Sequence, residues 1–193
     1  MAKAHLNSLL NRTFGRIGDL VYRKYGNKTV VSKAPDFTRR KLSIAQEASN
    51  DRFREAMNWA RKAREDPEIW AFYSKKRKGM QTLFNVAVRD FMSLPRIEKI
   101  RAGSYHGNPG DVITIEARDN YKVTGVIISI VNARKQEIEC GIGVQNPFEL
   151  FEWNFEAKET NPFWAGGRIE VVVRDLPGNT VKSVLELDPD TSA

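Results

Sequence analysis

The second half of the chain is written in short apolar runs that alternate or are rich in β-branched residues. From Pro95 onward, "PRIEKIRAG", "DVITIEA", "VTGVIISIVN", "EIECGIGV", "ELFEWNFEA", "GRIEVVVRD" and "TVKSVLEL" make seven candidate strands in about 95 residues. Turn residues punctuate them: Asn108-Pro109-Gly110, Gly166-Gly167 and Leu176-Pro177-Gly178-Asn179. Pro177-Gly178 suits the central pair of a type II turn, in which proline pre-sets the first residue and glycine supplies the positive φ of the second. This spacing of strands and turns predicts a β-sandwich over residues 94–193.

Before Pro95 the period changes. "SIAQ" at Ser43 has the capping-box spacing, with Ser43 and Gln46 each bonding the other's backbone, so a helix should begin there. Phe53, Ala56, Met57 and Ala60 share one face of it, and Arg52, Arg54, Arg61, Lys62 and Arg64 surround the rest. "REDPE" restarts the chain: Asp66 caps, Pro67 takes the first helical position, and Ile69, Phe72 and Tyr73 are the apolar side of a second helix. "KKRKG" closes that helix with cations at its negative end and Gly79 as the stop. Met80, Leu83, Phe84, Ala87, Val88 and Phe91 then recur at intervals of three and four, predicting a third helix that ends before Pro95.

Residues 1–42 read as an arm. Leu6, Leu9, Leu10, Phe14 and Ile17 fit a short amphipathic segment broken by Gly15 and Gly18, with the glycines letting Phe14 and Ile17 pack under a hairpin. The hairpin itself is "DLVYRKY" and "KTVVSKAP" around Gly26-Asn27, and "DFTRRKL" connects it to the first helix. The fold class expected is therefore α+β in two modules, a basic hairpin with about three helices and then an all-β sandwich. The boundaries fall at 1–42, 43–93 and 94–193.

Charge follows the same division. Residues 1–93 hold 20 Lys/Arg against 9 Asp/Glu, and residues 94–193 hold 11 against 15, which accounts for the net charge of +7. The first half is thus attracted to polyanions or acidic surfaces. No apolar run approaches the ~18 residues of a membrane span, and the N-terminus lacks the apolar core of a secretory signal. A cytoplasmic protein, or one assembled into a virion-like particle there, is expected. The single Cys140 has no partner for a disulfide within the chain and reads as a small core residue.

The raw material for chemistry is thin. His5 and His106 are the two histidines, one near the N-terminus and one in a glycine-rich turn beside Ser104 and Tyr105. A triad or a two-histidine metal site would need them to converge. Asp111, Glu116, Asp119 and Asp175 stand near strand ends, where carboxylates either cap turns or hold calcium; no D-x-D-x-D-G loop is present, and capping is the simpler expectation. Gly15 and Gly18 lack the flanking strand, helix and Lys of a phosphate loop. Neither a catalytic residue nor a metal, cofactor or small-molecule substrate is expected.

Two resemblances bear on this reading. The stretch from "PRIEKIRAGSYHGNPGDVITIEARD" through "GGRIEVVVRDLPGN" resembles a bacterial immunoglobulin-like domain, covering about half the chain. That resemblance implies a sandwich used as a spacer, adhesion module or particle decoration. "GRIGDLVYRKYGNKTVVSKAPDF" with "LSIAQEASNDRFREAMNWARKA" is similar to the opening of a family of small, functionally uncharacterised bacterial proteins. Its G-x-x-G-x-x-V-x-R-x-x-G-x-x-V pattern falls on Gly15, Gly18, Val21, Arg23, Gly26 and Val30, one residue of spacing aside. It implies no activity.

The hairpin carries Arg16, Arg23, Lys24, Lys28 and Lys33 with Tyr22 and Tyr25 interleaved, and Arg39 and Arg40 follow. Three readings fit it. It can dock by strand addition on a protein partner or second copy, with its cations guarding the edge; it can track a nucleic-acid backbone; or it can be an ordinary solvated hairpin. "KKRK" at residues 75–78 reads as a helix cap before a polyanion patch. Trp153 belongs to the core by alternation, whereas Phe163 and Trp164, in a loop beside "NPF", are candidates for a protein contact. The expected role is a non-enzymatic structural or assembly protein, with nucleic-acid association as the alternative and no membrane partner.

Overall fold

The computed structural model describes residues 2–4, 14–25, 28–36 and 41–188. Contacts divide the chain into two compact units, residues 1–47 and 48–193.

The first unit is a four-stranded antiparallel sheet. It contains β1 (Ala2–Ala4), β2 (Gly15–Ile17), β3 (Leu20–Tyr25) and β4 (Lys28–Lys33), in the order β1-β4-β3-β2. The β-branched and aromatic runs expected as a hairpin are β3 and β4, paired from Leu20 with Lys33 to Tyr25 with Lys28. The flanking strands enlarge that hairpin into a sheet. Gly26-Asn27, His5, Leu6, Leu9 and Leu10 and the connector's Arg39 and Arg40 lie outside the described residues. Phe14 and Ile17 are not packed beneath the strands: they are 81% and 58% exposed, because Gly15 and Ile17 are themselves strand residues beside Tyr22 and Leu20.

Three helices follow. α1 (Ile44–Glu65) opens on the expected box: Ser43 N–H donates to Gln46 Oε1 at 3.1 Å, and Gln46 N–H donates to Ser43 Oγ at 3.3 Å. Its buried face is Ala56, Ala60 and Ala63, while Phe53 stays exposed. α2 (Pro67–Lys76) is capped by Asp66 Oδ1, which accepts from Glu68 and Ile69 N–H at 2.9 and 3.1 Å. α3 (Leu83–Met92) is capped by Thr82, whose Oγ1 accepts from Asn85 N–H. Met80, expected on the third helix, precedes that cap and is fully exposed. Small buried alanines on α1 let Tyr73, Val86 and Ala87 approach closely, with Trp59, Ile69, Phe72 and Phe84 closing around them.

The sandwich contains every strand expected after Pro95. β5 (Arg96–Arg101), β6 (Val112–Arg118), β10 (Glu152–Glu156) and β9 (Val144–Gln145) form one antiparallel sheet in the order β5-β6-β10-β9. β12 (Thr180–Glu186), β11 (Arg168–Asp175), β7 (Val123–Val131) and β8 (Glu137–Ile142) form the other, in the order β12-β11-β7-β8. "EIECGIGV" is one run in sequence but two strands in space, because the chain passes from β8 to β9 and changes sheets at Gly143.

Period-two burial builds the core between the sheets. Ile113 and Ile115 of β6 and Trp153 and Phe155 of β10 face Val126, Ile128 and Ile130 of β7 and Ile169, Val171 and Val173 of β11. Cys140, expected inside, is exposed on β8, where Ser129 Oγ–H reaches its sulfur at 3.2 Å. The adjacent Gly141 takes the inward position under the Phe155 ring, so register decides against the thiol. The expected turn at Pro177-Gly178 is present, with Gly178 at φ +96° and its N–H, like that of Asn179, donated to Asp175 Oδ1.

Candidate docking surfaces

Directly opposed residues of antiparallel strands share a face. In the N-terminal sheet, Ile17 with Leu20, Tyr22 with Val31, Leu20 with Lys33 and Lys24 with Thr29 therefore lie on one face. The other face carries Arg16 with Val21, Arg23 with Val30, Val21 with Ser32 and Tyr25 with Lys28. The seven hairpin residues expected to bind a partner thus separate into Tyr22, Lys24 and Lys33 on the first face and Arg16, Arg23, Tyr25 and Lys28 on the second. Arg16 Nε–H bonds Gly18 O at 2.9 Å. None of Arg23, Lys24, Lys28 and Lys33 has an ion pair among the described residues.

No described residue between 14 and 47 is buried. Leu20 and Tyr25 are 42% and 62% exposed, and Val21, Tyr22, Val30 and Val31, residue types that elsewhere would cover a core, are half-buried.

The loop residues of the sandwich divide differently. Phe163 is 42% exposed and lies beneath the Arg134 guanidinium, 3.6 Å from its ring centre. Trp164 packs against the sandwich core and meets His106 edge-on with ring centres 5.5 Å apart, so its bulk is accounted for within the fold. His106 Nδ1 is 3.1 Å from Ser104 O, and its backbone N–H donates to Asp111 Oδ2 at 2.7 Å. With Tyr105, Trp164, Lys99 and Arg101 it lines a cavity of about 370 Å³. Lys75 and Lys76 occupy the last turn of α2, where cations suit the helix dipole, and Lys76 sits over Phe72.

The carboxylates weighed for calcium all have local partners. Asp111 accepts from His106 and Asn108 N–H, Asp119 from Tyr121 and Lys122 N–H, and Asp175 from Gly178 and Asn179 N–H. Glu116 pairs with Arg101 and Arg118. Among the described residues no cluster of three His, Cys, Asp or Glu is arranged to hold a metal ion.

Two features escaped sequence reasoning. The first is a buried polar joint where the helices meet the sandwich. Trp59 Nε1–H donates to Tyr73 Oη at 3.0 Å, and Tyr73 O–H donates to Asp90 Oδ2 at 2.5 Å. Tyr121 stacks edge-on against Tyr73, and Asn179 Nδ2 donates to Phe91 O and Asp175 Oδ2. Burial pushes the Asp90 carboxyl up to about 7, the charges of Asp119 and Asp175 push the same way, and the Tyr73 bond opposes them. The phenol of Tyr73 is raised far above its ordinary range by burial and then by Asp90, and Asp175 is raised by burial against its own turn bonds. Asp90 stands between Ala87 and Phe91 of the helical stripe, and that placement was the available signal.

The second is an exposed apolar strip. Ile142, Val144, Phe148, Leu150 and Phe151 are each between 44% and 93% exposed within ten residues of chain. Alternation had absorbed most of them into strands.

No protein-family model matches the chain, and no curated protein matches it. Among solved structures, the chain is similar to CopC from Methylosinus trichosporium OB3b, at 14% identity and a TM-score of 0.36, over 52% of this chain and 98% of that one.

Proposed function

We propose that this chain is a non-enzymatic assembly protein. Its basic N-terminal sheet docks on a larger complex in the cytoplasm, such as a virion-like or other multisubunit particle. Its sandwich, read as an immunoglobulin-like domain, makes protein contacts of its own. One observation supports this above the rest: β2, β3 and β4 of the N-terminal sheet have no buried side chain, whereas residues 48–193 include two packed cores. A sheet of β-branched and aromatic residues is stabilised by covering a face, so a companion is the missing part of its stability.

A second reading is favoured by the unpaired cations. Arg16, Arg23 and Lys28, which share one face with Tyr25, would meet phosphates while Tyr25 packs on a base, making a nucleic-acid-associated protein. About three phosphate contacts would lower affinity with salt at a log-log slope of roughly −2 to −3.

Light scattering of the full chain, with and without nuclease and at low and high salt, separates the two. The assembly reading expects a nuclease-resistant oligomer that is lost when residues 1–42 are deleted. A monomer that carries nucleic acid until nuclease or salt removes it would instead establish the second reading.

A further inference from the structure

The two sandwich sheets are linked on one side and open on the other. On the linked side the chain passes from β8 to β9 and joins an edge of each sheet. On the open side β5 and β12 are the edge strands, and they lie next to each other without pairing. The cavity of about 370 Å³ that Tyr105 and Trp164 line is at this edge, and its size is that of a small-molecule site.

Its floor belongs to the core. Tyr105 and Leu187 are 2% and 5% exposed, and Ile100, Ala102, Trp164 and Leu185 pack against the same buried cluster. Tyr105 Oη accepts from Asn161 Nδ2 at 3.2 Å, and His106 meets Trp164 edge-on. The floor is therefore apolar, aromatic and already formed.

The walls carry unlike charges. Lys99 and Arg101 stand on β5, and Glu186 and Asp188 stand at and beyond the end of β12. Arg101 is committed to Glu116 and Glu152, at 3.2 and 2.8 Å. Lys99 and Glu186 form no ion pair among the described residues, with each other or with any third group. An ammonium and a carboxylate that line one cavity and leave each other unpaired are complementary to a ligand bearing both charges. The apolar floor between them adds a second requirement, because a bare ion would leave Tyr105, Trp164 and Leu187 facing water.

We propose that the open edge of the sandwich binds a small zwitterion with an apolar ring, of the chemical class of the aromatic amino acids. The ring covers the floor, the acid group meets Lys99 and the amino group meets Glu186. The site is independent of how the N-terminal sheet is used. Its residues come from three separated stretches of the chain, so no sequence motif marks it.

Titration of the full chain with phenylalanine tests it, read by NMR at the amides of Gly103, Tyr105 and Leu187 and at the Trp164 indole. Binding should saturate with a dissociation constant on the order of 1 mM. Phenylacetate lacks the amino group, phenethylamine lacks the acid, and N-acetylphenylalanine amide lacks both charges. The first two should bind about three- to fivefold more weakly than phenylalanine, and the blocked amide more weakly still. Lys99→Gln should weaken phenylalanine and phenylacetate about threefold and leave phenethylamine unchanged. Glu186→Gln should weaken phenylalanine and phenethylamine and leave phenylacetate unchanged. Both positions are exposed, so both variants should keep the wild-type spectrum away from the cavity.

The proposal is overturned if phenylalanine moves none of these resonances at about ten times the expected constant, or if it moves resonances scattered over the surface. Equal binding of the blocked amide also overturns it, because ring burial alone would then account for the affinity. So does a pair of substitutions that affect all the ligands alike, since the two charges would then have no separate roles.

Discussion

Replacing Asp90 with Asn should flatten the pH dependence of stability. Asp90 has no exposed surface, its Oδ2 accepts from Tyr73, and its Oδ1 meets no partner. Its carboxyl is raised from 3.8 to about 7, burial being the largest cause. A raised acid binds its proton more tightly in the folded than in the unfolded chain. Stability therefore falls as pH rises from about 4 to about 7 and is level above, where the folded state contains a buried charge. The full window is worth on the order of 4 kcal/mol, and the interval from pH 5 to pH 8 roughly 2–3 kcal/mol. Asn cannot ionise. Its oxygen still accepts from Tyr73, and its amide adds a buried donor that costs about 1–3 kcal/mol at every pH. The informative quantity is thus the difference between the two pH profiles, which cancels the constant offset and isolates what depends on the Asp90 carboxyl, its coupling to Asp175 included. Urea denaturation at pH 5 and pH 8 reads it directly. Thermal melts should show the wild type losing roughly 5–10 °C more than D90N over that interval. Parallel profiles would refute the assignment of a neutral, buried carboxyl to Asp90.

Three further outcomes check the fold that presents the surfaces. Gly167→Ala should destabilise the sandwich by more than about 2 kcal/mol in urea, because a Cβ there would stand 2.4 Å from Val131 O and 2.9 Å from Trp164 O, both backbone atoms. Ile128→Ala, at a fully buried position between the sheets, should cost about 2–5 kcal/mol by the same measurement. Ser43→Ala should leave global stability nearly unchanged while raising amide exchange in the first turn of α1 roughly fivefold, since the capping bond lies at an exposed helix end.

Local chemistry explains why most elements were readable in advance. Ser43, Asp66 and Pro67 act within three or four residues of themselves, so their caps and the helix starts follow from spacing alone. The strands of the sandwich were equally legible, because "GRIEVVVRD" buries Ile169, Val171 and Val173 in the alternation its letters display. Met80 shows where this ends: it continues the three-four spacing of α3, yet Thr82 caps the helix two residues later and leaves Met80 in water. Cys140 fails for a related reason, since a run that changes sheets at Gly143 has its inward register set by Phe155 across the core.

Composition by itself determined the basic front half, the acidic back half, the expected seven-strand sandwich and the hairpin cations, because charge and period are sums over neighbours in sequence. Tertiary structure alone decided which cations share a face and that no side chain of β2, β3 or β4 is fully buried. It also placed Asp90 beneath Tyr73 and left Phe148 and Leu150 exposed. Those outcomes depend on strand register and on residues 17 or more positions apart meeting in space, which no local window of sequence contains.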